Sequence, residues 1–390
     1  MKNRVLGLVA FLVCSLGLIG FAADPGSFTR SIPSTLPASP ATQPDELPPN
    51  PYLSSADEPH MDAEYEAALA DVEASLAKCP PDLAVSSERR DALTMLDLLF
   101  HDPFASERKA VQAFHVRRAE LIADELEHDP VPTDGAKIYM FYNMGFIVRT
   151  HTVTLGFDLI RAEHLGQFAL PDALMKRIID QCDILFISHV HLDHADPWVA
   201  QTFIDEGKPA VGPPDLWADQ AINAHLTKLK RDSSLRQTVM LKGGRELSVI
   251  TNPGFQNMKT GDSVPCNVYV VKTPDGLLIA HTGDNNAYKP AGMNWTDPQH
   301  PNQQIDVLLL NDWTMTLAPR TLRGYNPRLV IAGHFDELGH ANVNARAPYW
   351  RGLVHGGKSI YPWLVMTWGE SFNYRRDAIP AGPPASLAQH

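Results

Sequence analysis

Apolar residues recur along the chain at two different spacings, and the change between them divides the chain into regions. From about 61 to 128 they return every three or four positions, as in Leu69, Val72 and Leu76. That spacing puts them on one face of a helix, and it predicts three amphipathic helices, the third at about 106–127. A helical extension is therefore expected over 61–130.

From about 137 the pattern changes to short apolar runs that are typical of strands. A helix is expected near 171–181, and Thr273-Pro-Asp-Gly276 is a turn signal that joins two strands into a hairpin. No glycine-rich phosphate turn opens this region, which favours an α/β sandwich over a doubly wound sheet. The predicted strands are 138–142, 145–148, 152–157, 184–187, 268–271, 277–280, 307–310 and 329–332.

The N-terminus has the order of a secretory signal. Lys2 and Arg4 precede an apolar run, Val5–Ala22, which ends in small residues. A retained membrane anchor is the alternative, but the proline-rich segment 23–60 that follows is typical of a linker and suits cleavage better. We expect residues 1–22 to be removed, which leaves a secreted or periplasmic protein with no stable membrane anchor.

Composition narrows the classes of partner. The 390 residues include 33 basic and 45 acidic side chains, for a net charge of −12, and 44% of them are hydrophobic. A chain this acidic repels polyanions, so we do not expect nucleic acid as a partner. We expect a small-molecule substrate instead. The three cysteines beyond the signal are widely spaced and indicate no disulfide framework. Nothing in the sequence specifies the oligomeric state.

A metal-binding pattern directly follows the predicted strand 184–187. His189, His191, Asp193 and His194 lie within six residues, on a loop rather than a helix. Imidazole and carboxylate at this density suit zinc, and less often iron or manganese. Alternation allows His189 and His191 to bind one ion while Asp193 and His194 reach a second. Asp196-Pro197 then predicts a capped helix start.

Two later segments fit the same chemistry. Thr282-Gly283-Asp284 ends the second hairpin strand, where the glycine permits a tight turn and the carboxylate could bridge two cations. His334 follows the strand 329–332. Both positions lie just after strand ends, as catalytic residues often do in α/β proteins.

This ordered set of motifs resembles the metallo-β-lactamase-fold hydrolase superfamily over about 137–370. The resemblance implies an αββα sandwich, here over 137–376, with a site for one or two ions, usually zinc, between the sheets. It further implies that Asp158 supports the metal loop and that Asp284 bridges the two sites. By resemblance the first ion is bound by His189 and His191, and the second by Asp193, His194 and His334.

The sequence departs from the superfamily at one point. A further histidine, a ligand of the first ion, is usual a few tens of residues before Thr-Gly-Asp, but residues 251–262 contain none. His225 comes too early, and His281 lies within the preceding strand. Gln256, Asn257 or a water molecule could fill the position, and a mononuclear site is the alternative.

The resulting hypothesis is an exported metal-dependent hydrolase that directs a metal-activated water at an ester, lactone or phosphodiester. Within the superfamily the chain is most similar to the lactonase-like and N-acyl-phosphatidylethanolamine phospholipase D-like branches. Asp193 is the candidate to orient or deprotonate the nucleophile. The missing histidine motivates the alternative, a catalytically silent metal- or ligand-binding protein that retains the fold.

Several other residues have two interpretations. His340 and Asp336 could transfer protons or belong to an ordinary polar loop, and we take His340 as the second catalytic candidate. Tyr288, Trp295 and Trp313 could form the wall of a substrate cleft or belong to a core or lid. Cys266 is expected to be a small buried residue rather than a nucleophile.

Overall fold

The computed structural model describes residues 58–165, 169–257, 263–286, 304–314, 318–340, 343 and 346–380. The predicted signal peptide and nearly all of the linker lie outside these residues, as do Tyr288 and Trp295. The chain divides into two compact units, Met1–Glu64 and Tyr65–His390, and all strands among the described residues belong to the second. Across the described part of the chain, no helix combines the length and the apolar character needed to cross a membrane.

The predicted helices and strands are present with somewhat different ends, and the structure adds strands within 210–257 and 363–374 and helices at 318–325 and 349–358 that the sequence patterns did not predict. The helices are α1 Glu58–Lys78, α2 Ser87–Phe100, α3 Lys109–His128, α4 Asp172–Gln181, α5 Pro197–Asp205, α6 Ala318–Tyr325 and α7 Tyr349–Lys358. The strands are β1 Ala136–Met140, β2 Phe146–Thr150, β3 Thr154–Phe157, β4 Ile184–Phe186, β5 Ala210–Gly212, β6 Thr227–Lys228, β7 Gln237–Met240, β8 Glu246–Asn257, β9 Ser263–Lys272, β10 Leu278–His281, β11 Val307–Asn311, β12 Leu329–Gly333, β13 Trp363–Val365 and β14 Glu370–Tyr374.

The strands form two seven-stranded sheets. The first has the order β14-β1-β2-β3-β4-β5-β6 and the second β13-β12-β11-β10-β9-β8-β7. Each sheet contains a run of parallel neighbours, β3 to β6 in the first and β10 to β13 in the second. The predicted hairpin is present as the antiparallel pair β9–β10.

Buried aromatic rings pack between the two sheets. The ring of Phe157 at the end of β3 stacks on His281 at the end of β10, with centroids 5.1 Å apart. Phe186 on β4 contacts Tyr269 on β9, whose hydroxyl donates to the Ile187 carbonyl. Because both inner faces are apolar, the sheets bury their surfaces against each other.

Helices cover the outer faces. Helix α5 packs on β4 and β5 and also against α4, which in turn packs against α3, while α7 packs on β13. The result is the αββα sandwich that the superfamily resemblance implies, preceded by the helical extension that the spacing of apolar residues predicts. The limits of the separate domains stay a prediction.

The helical extension is joined to the sandwich by a buried ion pair. Arg89 on α2 donates two hydrogen bonds to the Glu370 carboxylate at the start of β14, at 2.7 and 2.6 Å. It also donates to the Val365 carbonyl at the end of β13. A guanidinium with this fork geometry matches a carboxylate with two parallel bonds, which fixes the orientation of α2 on both sheets.

Candidate metal centre

The candidate site lies where the carboxyl ends of parallel strands from both sheets meet. The histidine-rich loop joins β4 to α5, Asp158 directly follows β3, Asp284 follows β10, and His334 follows β12. Crevices beyond the carboxyl ends of parallel strands are where α/β proteins place ligands. The topology therefore brings together residues that are distant in sequence.

Local hydrogen bonds fix the histidine-rich loop. The N–H groups of His194 and Ala195 both donate to the His191 carbonyl, which folds the loop into a tight turn. As predicted, Asp196 caps α5 and Pro197 lies in its first turn. The Asp196 carboxylate accepts hydrogen bonds from the N–H groups of Trp198 and Val199.

Asp158 supports the histidine-rich loop through hydrogen bonds, as the resemblance implies. Its Oδ1 accepts from the Ser188 N–H at 2.7 Å, and its Oδ2 accepts from the Ser188 hydroxyl at 2.7 Å and from His194 Nδ1 at 2.8 Å. Ser188 Oγ can then accept from His189 Nδ1, 2.9 Å away. Both imidazoles therefore turn Nε2 toward the site.

Gly283 is required by a close approach between loops. Its φ is +48°, and a Cβ there would lie 2.5 Å from Ser188 Cβ and 2.8 Å from Cys266 Sγ. Any side chain would push Asp284 away from the histidine loop. The Thr-Gly-Asp motif thus reflects packing as well as chemistry.

The structure brings all six predicted metal ligands together, in two groups. Within each group the potential ligand atoms lie within 4.8 Å of one another. The first group is His189, His191 and Asp284, and the second group is Asp193, His194, Asp284 and His334. Asp284 belongs to both, as a bridging carboxylate would. Which of them bind metal stays a prediction.

The geometry of these groups fits a cation. His194 Nε2 lies 3.1 Å from Asp193 Oδ2 and 3.2 Å from Asp284 Oδ1, and His334 Nε2 lies 3.4 Å from an oxygen of each carboxylate. The Nε2 atoms of His189, His194 and His334 are buried and have no hydrogen-bond partner among the described residues. Unpaired buried nitrogens facing carboxylates are satisfied by a shared metal ion.

The electrostatics of the second group favour positive charge. Burial lowers the pKa of the His334 imidazole, but Asp284 and Asp193 outweigh it and raise the pKa to about 10. The same two carboxylates overcome burial to raise the pKa of His194 well above its usual range. In the first group, burial together with the nearby His194 lowers the pKa of His189 to about 3, so this imidazole is neutral and ready to bind metal.

Three amide side chains support the carboxylates, and only Gln256 was identified as a candidate from the sequence. Asn143 Nδ2 donates to Asp193 Oδ2 at 2.8 Å, and the backbone carbonyl of Asn143 accepts from the His334 N–H. Asn311 Nδ2 donates to Asp284 Oδ1, and Gln256 Nε2 donates to Asp284 Oδ2 at 2.9 Å. Asn143 lies between two predicted strands and Asn311 directly follows a third, and no role for either residue was predicted from the sequence.

His340 lies beside the second group, not within it. The Trp313 ring stacks on His334 with centroids 5.5 Å apart, and its centroid is 5.7 Å from that of His340. The His340 side chain is 38% exposed, and its Nε2 lies 3.2 Å from an oxygen of the buried Glu337. A proton-transfer role for His340 therefore stays a prediction, and the side chain lies next to the second group.

Other candidate residues lie away from the chemistry. Asp336 is fully buried, and both burial and the adjacent Asp97 raise its pKa well above the usual range. His281 donates from Nε2 to the Met144 carbonyl at 3.0 Å and accepts the Gly283 N–H, so it is a packing residue between the sheets. Cys266 is buried as predicted, and burial raises the pKa of its thiol.

Neither a protein-family model nor a curated protein sequence matches the chain. Solved structures do. Igni18, a metallo hydrolase from Ignicoccus hospitalis KIN4/I, is 17% identical, with 62% of this chain and 98% of Igni18 covered, and the TM-score is 0.42. An isothiocyanate hydrolase from Delia radicum gut bacteria is 17% identical over 61% of this chain and 99% of its own, with a TM-score of 0.42.

A third solved structure belongs to CmlA, a diiron β-hydroxylase from Streptomyces venezuelae. It is 10% identical, with 63% of this chain and 55% of CmlA covered, and the TM-score is 0.40. Similarities at this level select no branch of the superfamily, no metal and no substrate. The assignment of the site rests on the geometry described above.

Proposed function

We propose that this chain is an exported metal-dependent hydrolase whose site binds zinc and acts on an ester, lactone or phosphodiester. The observation that carries the proposal is the convergence of three unpaired buried Nε2 atoms on the Asp193 and Asp284 carboxylates. A donor set rich in imidazole, with oxygens from carboxylates, is the one that zinc most often has in hydrolases.

A divalent cation bound there would lower the pKa of a coordinated water and polarise the carbonyl or phosphoryl oxygen of a substrate. The protein supplies the orientation. The Asp193 side chain is 17% exposed, whereas that of Asp284 is 2% exposed, so Asp193 is the carboxylate that a nucleophile and substrate can reach. Asn143 holds Asp193 Oδ2, which leaves Oδ1 to orient the nucleophile or accept its proton.

The surroundings of the site suit a small substrate with an apolar part. Val190 and Leu192, on either side of His191, are 41% and 62% exposed. Trp313 offers a partly exposed ring next to His334. We assign His340 to protonation of the leaving group, because it is the exposed imidazole beside that ring.

A substrate panel with metal control tests the proposal. Chelator-treated protein would be assayed with 4-nitrophenyl butyrate, γ-butyrolactone and bis(4-nitrophenyl) phosphate, before and after zinc, manganese or iron is restored. Hydrolysis of at least one compound that disappears on chelation and returns with metal supports the hydrolase. Bound metal with no hydrolysis favours the silent binding protein, and failure to bind any of the three metals contradicts the metal centre itself.

A further inference from the structure

The histidine that the superfamily resemblance leads us to expect for the first group is missing from residues 251–262, and Gln256 lies within that segment. We propose that the Gln256 amide oxygen is the additional protein ligand of that group, and that the ion bound there is weaker and more exchangeable than its neighbour. This inference rests on the proposed metal centre.

Strand β8 brings Gln256 to the site. The strand extends to Asn257 and pairs with β9 up to its end, with Gln256 opposite Val264. Pairing over this length fixes which face each side chain occupies. The Gln256 side chain is thereby directed to Asp284, with Nε2 2.9 Å from Oδ2, the oxygen that lies between the two groups, 4.0 Å from His189 Nε2 and 3.4 Å from His334 Nε2.

The Gln256 side-chain oxygen is buried without a hydrogen-bond donor among the described residues. Gln256 is 3% exposed, and its Oε1 has no hydrogen-bond partner among the described residues. A buried acceptor without a partner destabilises the folded chain, because it has lost its bonds to water. Rotating the amide by half a turn does not remove the problem, because Oε1 would then face the Asp284 carboxylate, acceptor against acceptor. In either orientation a cation near Gln256 satisfies the oxygen.

The two groups then differ in charge. Among charged and imidazole donors, the first group has two imidazoles and the shared Asp284, whereas the second has two imidazoles and two carboxylates. A neutral amide adds an oxygen to the first group but no negative charge. The first ion therefore receives less electrostatic stabilisation than the second, and its site has harder donors than a third imidazole would provide.

The competing interpretation is that Gln256 only holds Asp284 in place, as Asn311 does from the other oxygen. The substitution Gln256→Glu separates the two roles. If the residue is a ligand, the added negative charge strengthens the first ion. If it is only a donor to Asp284, the new carboxylate faces an existing carboxylate and the first ion binds more weakly.

The test is a zinc titration of metal-free protein against a competing chelator, repeated with cobalt, whose absorption reports the ligand set. We expect two unequal steps for the unchanged chain. Gln256→Leu should weaken the weaker step by about ten-fold or more, and should weaken the stronger step less, only through the lost hydrogen bond to the shared Asp284. Gln256→Glu and Gln256→His should strengthen the weaker step. His334→Ala should instead damage the stronger step, and Asn311→Ala, the matched control, should weaken both through the shared Asp284.

A weaker step that is unchanged in Gln256→Leu, or loosened in Gln256→Glu, would overturn the role of Gln256 while leaving the hydrolase proposal intact. A single step in the unchanged chain would also overturn it. Should Gln256→Leu fail to fold, as judged by circular dichroism without metal, the nearly isosteric Gln256→Glu decides alone. No zinc binding at all would contradict the proposed function, and this inference with it.

Discussion

The orientation of two imidazoles is set by hydrogen bonds to residues that are not themselves metal ligands. Ser188 Oγ accepts from Nδ1 of His189, and Asp158 accepts from Nδ1 of His194, so each ring has its Nε2 free for a cation. Such outer hydrogen bonds fix the tautomer and raise the basicity of the metal-binding nitrogen. His191 has no such bond among the described contacts and is only partly buried, so it is the most accessible of the three loop histidines.

That accessibility makes His191 the most informative position for substitution. We expect His191→Ala to lose most of the metal of the first group and nearly all hydrolysis, and to remain folded because the side chain is not in the core. Elemental analysis, turnover and circular dichroism check this. His225→Ala, a histidine outside both groups, is the control. Full metal content and full turnover in His191→Ala would contradict the ligand assignment.

The metal ligands could be identified from sequence because their types and spacing are unusual, as with the three histidines and one aspartate that follow β4. Their supporting amides could not. Asn143 and Asn311 are common residues in a turn and at a strand end, and their role depends on which carboxylate the fold places beside them. That placement comes from long-range packing, which no local pattern reports.

At the scale of elements, α2 and α7 meet across a pair of buried carboxyl groups. Asp97 on α2 accepts from the N–H groups of Tyr349 and Trp350 at the start of α7, at 2.6 and 2.9 Å. Burial raises the pKa of Asp97 to about 6 despite these bonds. The pKa of the neighbouring Asp336 carboxyl is also raised, by burial and by the proximity of Asp97.

The sign of the pH dependence follows. Asp97 has a pKa of about 6 in the folded chain against an ordinary value of 3.8, so the folded chain holds its proton more tightly. The resulting contribution to stability is fully present below about pH 4 and is lost as the pH rises through 6. Asp336 contributes in the same direction at higher pH. Ionising the pair is therefore a cost that the folded chain bears near neutral pH.

We expect Asp336→Asn to flatten this dependence, because an amide can donate to Asp97 and no longer repels it. Relative to the unchanged chain, its free energy of unfolding should rise between pH 5 and pH 8, by on the order of 1–3 kcal/mol. Urea unfolding of both proteins in chelator, at several pH values, measures the difference. Parallel pH profiles would contradict the carboxyl pair.

The periodicities predicted the elements well where the apolar pattern is strong, as in α2 and the parallel strands β4, β11 and β12, but they missed the short parallel strands β5, β6 and β13. They gave less information about ends. The strand expected at 268–271 is part of the longer β9, Ser263–Lys272, because pairing with β8 continues past the apolar run. Residues such as Cys266 and Asn267 are held there by the ladder rather than by their own preference for strands.

At the scale of the whole molecule, export remains a prediction from the first 22 residues. Lys2 and Arg4 before the run Val5–Ala22 have the order that signal peptidases require. We expect mature protein from a secretion-competent host to begin after residue 22 and to be found outside the cytoplasm. N-terminal sequencing decides it, since exported material that still begins at Met1 would contradict cleavage.

At the candidate metal centre, residues from both sheets would share the same ions. Asp158 and the histidine loop come from the first sheet, and Asp284 and His334 from the second. A bound metal stabilises only the folded chain, so stability should follow metal concentration. The αββα architecture thus has its functional and its structural link at one place.

The metal centre can be tested by anomalous X-ray scattering from crystals grown with zinc, measured on both sides of the zinc absorption edge. We expect a strong peak bound by His194, His334, Asp193 and Asp284, with zinc–nitrogen distances of about 2.0–2.1 Å. A second, weaker peak is expected beside His189 and His191. An absence of anomalous density between these residues, with zinc found only elsewhere in the molecule, would contradict the metal centre and the hydrolase built on it.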